Sequence, residues 1–272
     1  MGLIGCGAIG GTLARAIAAG DAGSVELVAI CDLDKSRVER LSSELALPGL
    51  LSTVDPEDVI DRSDVQLVIE AASQETVRQL AEKVISSGKS MLIMSVGALS
   101  DERLLSRLES LARERKVKIY VPSGAVCGLD GVKAASIQGV TSVEIMTTKH
   151  PKSLEGAPYL VENRISLDDL TEPKTVFQGT ARDAARGFPM NINVAVSLSL
   201  AGIGVDRTMV RIVADPHSKR TRHEIRVRGD FGELYTSVSN FVHPENPKTS
   251  YLAPLSAIRT LRSITEPLQI GS

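Results

Sequence analysis

The stretch Gly2-Leu3-Ile4-Gly5-Cys6-Gly7-Ala8-Ile9-Gly10, followed by the apolar run Leu27-Val28-Ala29-Ile30-Cys31 that Asp32 closes, decides the fold. Glycines at this spacing after a short apolar strand have separate duties. Gly5 permits a tight strand-to-helix turn, Gly7 lets a bulky group approach the backbone, and Gly10 lets helix and strand pack closely. Leu13, Ala14, Ile17 and Ala18 then recur at helical spacing, so the loop opens a helix whose free N–H groups suit phosphate oxygens. A carboxylate about 20 residues onward, at the end of the next strand, can accept from both hydroxyls of a ribose and repels a 2′-phosphate. Asp32 is so placed. The stretch reads as a dinucleotide site, with Gly5, Gly7, Ala8, Ile9, Gly10 and Asp32 as cofactor contacts; the plain alternative is an ordinary glycine turn. NAD is the expected cofactor, and Lys35 and Arg37 just beyond Asp32 leave NADP open.

Outward from this segment, strand and helix signals alternate through residue 121, which predicts an α/β fold: a Rossmann-type doubly wound parallel sheet. Asp55-Pro56 predicts an N-cap with proline in the first helical position, ahead of the strand Val65 to Ile69. Val77, Leu80, Ala81, Val84 and Ile85 form a helical stripe that Gly88 can end, and Met91 to Met94 is the next strand. Leu104, Leu105, Leu108, Leu111 and Ala112 mark another helix, before a strand over Lys116 to Val121. Ligands of such sheets gather beyond the carboxyl ends of the strands, so the loops after Cys31, Ile69, Met94 and Val121 are candidates to line a cleft, Ala72 and Ser73 among them.

After about residue 122 the pattern changes. Val143 to Thr147 and Val210 to Val213 alternate like half-buried strands, and Arg222 to Val238 reads as a hairpin around Gly229-Asp230-Phe231-Gly232. A second α+β domain on a largely antiparallel sheet is expected over residues 122–245, serving catalysis and substrate binding. Thr180 and Asp183 can open a helix there, and Asn191 to Ala201 is apolar enough for a buried one. Tyr251 to Ile264 is helical by pattern and is expected to pack back on the first domain, which therefore comprises 1–121 plus 246–272.

The length of 272 residues accommodates two such domains, and a net charge of −2 with both signs interspersed gives no electrostatic case for a nucleic-acid or membrane partner. No apolar run approaches the roughly 20 residues needed to span a bilayer, and the chain opens on a strand with no signal-like region, so a cytoplasmic location is expected. Met1 lies only four residues before Gly5, which leaves an upstream start open. Cys6, Cys31 and Cys127 lack metal-ligand spacing; they are expected to be reduced thiols packed as small hydrophobes, and no metal site is expected.

Among four histidines, His223 is the candidate for proton transfer. It shares strand parity with Ile225 and Val227, while Glu224, Arg226 and Arg228 take the other face, so it points inward, where a group titrating near neutral pH suits acid–base work. A core histidine satisfied by a hydrogen bond is the plain alternative. His217 and His243 stand beside prolines, and His150 between Lys149 and Pro151; surface positions are expected for all three. Asn191 and Asn193, in the first turn of the apolar helix, can cap it or reach a nicotinamide carboxamide. Lys149, Lys152, Lys248 and Thr249 are weaker candidates for an anionic substrate, since most lysines are solvated.

Several segments, in order along nearly the whole chain, resemble the L-aspartate dehydrogenase family. They are Gly5 to Gly10, Glu70-Ala71-Ala72-Ser73-Gln74, Ser123-Gly124-Ala125-Val126-Cys127-Gly128-Leu129-Asp130, Phe188-Pro189-Met190-Asn191-Ile192-Asn193-Val194-Ala195, His223-Glu224-Ile225 and Asn246-Pro247-Lys248-Thr249-Ser250-Tyr251-Leu252. The resemblance implies NAD(P)-dependent oxidative deamination of L-aspartate to iminosuccinate, feeding NAD biosynthesis, by a homodimer. It also implies that His223 matches the active-site histidine and that Ala125 and Asn193 match cofactor contacts. Cys127 stands where the family pattern has glycine. Two alternatives remain: a related two-domain NAD(P) oxidoreductase acting on another amino or hydroxy acid, and a non-catalytic NAD-binding sensor. The His-His pair of a dihydrodipicolinate reductase is absent, and the turn where an inositol dehydrogenase carries Glu-Lys-Pro reads Ser95-Val96-Gly97-Ala98.

Overall fold

Short apolar strands punctuated by capped helices build the first half of the chain. In the computed structural model, which describes residues 1–271 and only the backbone of Pro247 and Lys248, the chain divides into two compact units. Met1–Pro122 together with Pro254–Ile270 form the first and Ser123–Ala253 the second.

In the first unit, β1 (Gly2–Ile4), α1 (Ala8–Ala18), β2 (Ala29–Cys31), α2 (Lys35–Leu45), β3 (Leu51–Thr53), α3 (Pro56–Ile60), β4 (Leu67–Glu70), α4 (Gln74–Ser86), β5 (Ser90–Ile93), α5 (Glu102–Arg115) and β6 (Ile119–Tyr120) follow in turn. The strands form one six-stranded sheet in the order β3-β2-β1-β4-β5-β6, every pairing parallel. This is the doubly wound order, with its switch point between β1 and β4. Leu3, Ile30, Val68, Ile69, Leu92 and Ile93 are fully buried, as strands covered on both faces require. Burial of each such side chain is worth about 1.5–3 kcal/mol. Side-chain caps fix where helices begin: Asp34 accepts from Ser36 N, Asp55 from Glu57 N, Ser73 from Thr76 N, and Asp101 from Arg103 N and Leu104 N.

The second unit carries α6 (Leu129–Ala135), β7 (Val140–Lys149), α7 (Pro158–Glu162), β8 (Lys174–Thr180), α8 (Ala181–Gly187), α9 (Asn193–Ala201), β9 (Thr208–Ala214), β10 (Thr221–Gly229), β11 (Gly232–Asn240), β12 (Val242–His243) and β13 (Asn246–Ser250). Five strands order as β11-β10-β7-β9-β8, antiparallel except for the β7–β9 pair, and β12 and β13 form a separate small sheet. One face of the large sheet is buried: Val143, Ile145, Thr147 and Lys149 on β7, Val210, Ile212 and Ala214 on β9, and His223, Ile225 and Val227 on β10. Helices α8 and α9 pack against β9. Tyr159, Phe177 and Phe188 cluster in this unit with ring centroids 5.1–5.6 Å apart.

The last helix, α10 (Leu252–Thr265), returns to the first unit, where Thr265 Oγ1 accepts from Ser24 N at 3.2 Å. Among the described residues no helix is long and apolar enough to cross a membrane.

Candidate active site

The glycines of the first loop differ in what surrounds them. Gly5 has φ +105°, and a Cβ there would sit 2.6 Å from the Ala71 carbonyl, so backbone conformation and the neighbouring β4 loop both require glycine. A Cβ on Gly10 would collide with the Gly5 carbonyl oxygen, which is the close helix–strand approach expected of it. Gly7 is unlike either: its φ of −74° suits any residue, and a Cβ would meet only Arg37 Nη1 at 4.0 Å. Open space before an α1 N-terminus that has no side-chain cap is what a pyrophosphate would fill, with free N–H groups aimed at it. Ala8 and Ile9 form the half-buried first turn of that helix.

Asp32 is held ready beside the loop. Its Oδ2 accepts from Cys6 N at 2.8 Å and its Oδ1 from Asp34 N at 2.9 Å, which leaves further lone pairs on both oxygens for ribose hydroxyls. The half-exposed Arg37 lies 3.9 Å from Asp32 and 3.4 Å from Asp34, and Lys35 pairs with Glu39, so both cations already have acidic neighbours. The residues present fit an NAD(P) molecule bound at the carboxyl ends of β1, β2 and β4.

A residue that sequence reasoning passed over organises the same edge. Glu70, fully buried at the end of β4, accepts from Ala72 N at 2.8 Å, Ser95 N at 3.0 Å and Ser95 Oγ at 2.8 Å. One carboxylate thus fixes the loops after β4 and β5. Burial raises its pKa, opposed by these hydrogen bonds. Ala72 and Ser73 are exposed on the first of those loops, where Ser73 caps α4.

In the second unit His223 is 3% exposed and pairs across the sheet with Thr147, whose hydroxyl lies 2.9 Å from Nδ1. That contact leaves Nε2 as the ring nitrogen for chemistry. Burial first, and the charge of Lys149 second, push the imidazole pKa down to about 3, so the ring is neutral near pH 7 and does not titrate there as its residue type suggests. Lys149, at the end of β7, is also buried, and its Nζ donates to Asn191 Oδ1 at 2.6 Å. Asn191 therefore precedes α9 and does not cap it. Asn193 is the first residue of α9 and half-buried; Ala125 is buried and its carbonyl accepts from Asn240 Nδ2 at 2.9 Å.

Two surface assignments and one buried one need correction. His243 is buried, edge-on to Tyr251 at 5.4 Å, with Nδ1 accepting from Glu245 N. His150 is half-buried and its Nδ1 accepts from Lys152 N, while His217 is exposed as expected. Cys6 and Cys31 are buried thiols pushed up to about 12, chiefly by burial, but Cys127 is exposed, not packed as a small hydrophobe. Lys152 is exposed, Thr249 half-buried, and the Lys248 side chain lies outside the described residues.

Comparison with known proteins places the whole chain in one family. Residues 130–264 match the profile of the aspartate dehydrogenase C-terminal domain, and residues 5–122 that of the homoserine dehydrogenase NAD-binding domain. The L-aspartate dehydrogenase of Methanosarcina mazei is 47% identical over 100% of this chain and 99% of its own length. That of Methanocella arvoryzae is also 47% identical with the same coverage. The crystal structure of aspartate dehydrogenase from Thermotoga maritima superposes with a TM-score of 0.75 at 29% identity, over 99% of this chain and 98% of that one. The chain belongs to the L-aspartate dehydrogenase family.

Proposed function

We propose that this chain oxidatively deaminates L-aspartate to iminosuccinate with NAD(P), using His223 as general acid/base. The observation that carries this reading is a buried, neutral imidazole on the one sheet face that also holds a buried lysine, in a unit whose sequence matches the aspartate dehydrogenase C-terminal domain. An NAD(P) held at the glycine loop and Asp32 would supply the hydride acceptor for Cα of the amino acid. The protein's own work is orientation and proton movement. His223 Nε2, directly or through one water, accepts a proton from the substrate nitrogen as the C=N bond forms, and Thr147 on Nδ1 fixes ring orientation, its hydroxyl oxygen able to accept from Nδ1–H in the tautomer that leaves Nε2 unprotonated. The same nitrogen can later activate water if the imine is hydrolysed to oxaloacetate and ammonia.

On the first unit, Gly5, Gly7, Ala8, Ile9 and Gly10 would receive the pyrophosphate and Asp32 the adenosine ribose, while Ala72 and Ser73 would line the loop after β4. Asp32 favours NAD over NADP by charge. The resemblance adds Ala125 and Asn193 as cofactor contacts, a homodimeric enzyme and a role in NAD biosynthesis. Mixing protein, NAD and L-aspartate tests the reading: reduced cofactor should accumulate and be detected by its absorbance. No reduction with aspartate, but reduction with another amino or hydroxy acid, would replace it by a sister activity.

A further inference from the structure

Lys149 ends a strand whose inward positions are otherwise apolar or hydrogen-bonded. Val143, Ile145, Thr147 and Lys149 alternate onto the buried face of β7, and the sheet register sets Thr147 against His223, so ammonium and imidazole share that face two residues apart. The lysine is 5% exposed. Its three N–H donors meet one acceptor, the neutral Asn191 Oδ1 at 2.6 Å, and no acidic side chain counters the charge among the described residues. A buried ammonium without a counter-charge is costly, and native chains retain one where something else completes the pair.

We propose that Lys149 is the residue that binds a carboxylate of the substrate, Asn191 holding its ammonium in place so that a dicarboxylic amino acid completes the ion pair. This inference rests on the aspartate reading of the same site. It explains why the helix entrance carries a polar Asn191 facing β7, and it assigns the missing counter-charge of the ammonium to a substrate carboxylate. Burial lowers the Lys149 pKa to about 8, which is the signature of a charge lacking its partner. A bound carboxylate would offset the Lys149 charge, the lesser of the two causes that hold the His223 pKa down, burial being the greater.

The test uses full-length Lys149→Met and Lys149→Gln, with succinate as a non-oxidisable dicarboxylate probe, titrated calorimetrically beside NAD, and with thermal melts in the absence of ligand. Loss of one charge-assisted contact should weaken succinate, and raise KM for aspartate, roughly 10- to 100-fold in both variants. NAD affinity should stay unchanged. The ligand-free melting midpoint should hold or rise by a few degrees, because a buried unpaired charge has been removed. Succinate affinity within threefold of wild type in either variant overturns the proposal, as does a lower midpoint in both, which would make Lys149 a structural residue. The two readings fail differently. Should wild type bind succinate through Lys149 yet reduce no NAD with aspartate, the aspartate reading falls and the anchor stands; unchanged aspartate kinetics in the variants would do the reverse.

Discussion

Gly7→Ala separates space kept for a ligand from space needed by the fold. The backbone at Gly7 (φ −74°, ψ −166°) accepts alanine without strain, and the new methyl would meet only Arg37 Nη1 at 4.0 Å. Stability without ligand should therefore stay within about 0.5 kcal/mol of wild type, or gain slightly from a stiffer unfolded chain. The methyl does, however, stand where the pyrophosphate approaches the α1 N-terminus. Displacing the phosphates costs one charge-assisted N–H···O bond at about 1.5–3 kcal/mol, so the NAD Kd should rise roughly 10- to 150-fold. Calorimetric titration with NAD and a ligand-free melt on the same preparation measure both terms. Gly10→Ala is the control: its Cβ collides with the Gly5 carbonyl, so it should lower the melting midpoint with no ligand present. NAD binding within threefold of wild type in Gly7→Ala would refute the cradle.

Asp32→Ser should weaken NAD about 10- to 100-fold and bring NADP toward parity, because the carboxylate that repels a 2′-phosphate is gone and Arg37 loses a neighbour 3.9 Å away; an unchanged ratio of the two dissociation constants would argue against Asp32 as the ribose contact. Glu70→Gln presents an amide N–H to donors that now face an acceptor, so about 2 kcal/mol of stability and some NAD affinity should be lost, with wild-type denaturant stability as the contrary result. His223 also sets an acid limb. Its folded pKa is about 3 against 6.5 in the unfolded chain, so as pH falls below 6.5 the unfolded chain gains a proton that the folded one refuses until about pH 3, and stability declines across that window by up to about 5 kcal/mol. His223→Asn should flatten this limb in pH-dependent melts, and an identical limb would mean that the ring is not buried neutral.

Much of the first unit is legible in the sequence because each local signal there has one physical meaning. A glycine loop between an apolar strand and a helix, an acid closing the next strand, and Asp-Pro before a helix all have single structural solutions, and α3 duly begins at Pro56 with Asp55 as its cap. Glu70 escaped notice because an acid after an apolar run reads as a strand end leaving the core; its burial depends on Ser95, which the β4–β5 pairing brings alongside. The parallel β7–β9 pairing was likewise hidden, since it depends on the long connection between those strands and not on either strand's own pattern. In the second unit, parity placed His223 correctly on the inner face. The same parity, carried from Val143 through Ile145 and Thr147, would have placed Lys149 there too; the general preference of lysine for solvent outweighed it. His243 sits in a two-residue strand, too short for any alternation to register.

The most direct measurement compares steady-state oxidation of L-aspartate by wild type and His223→Ala, with NAD affinity determined on both. A general acid/base role predicts turnover lower by about two to four orders of magnitude with the NAD dissociation constant nearly unchanged. Near-wild-type turnover in the folded variant would contradict it.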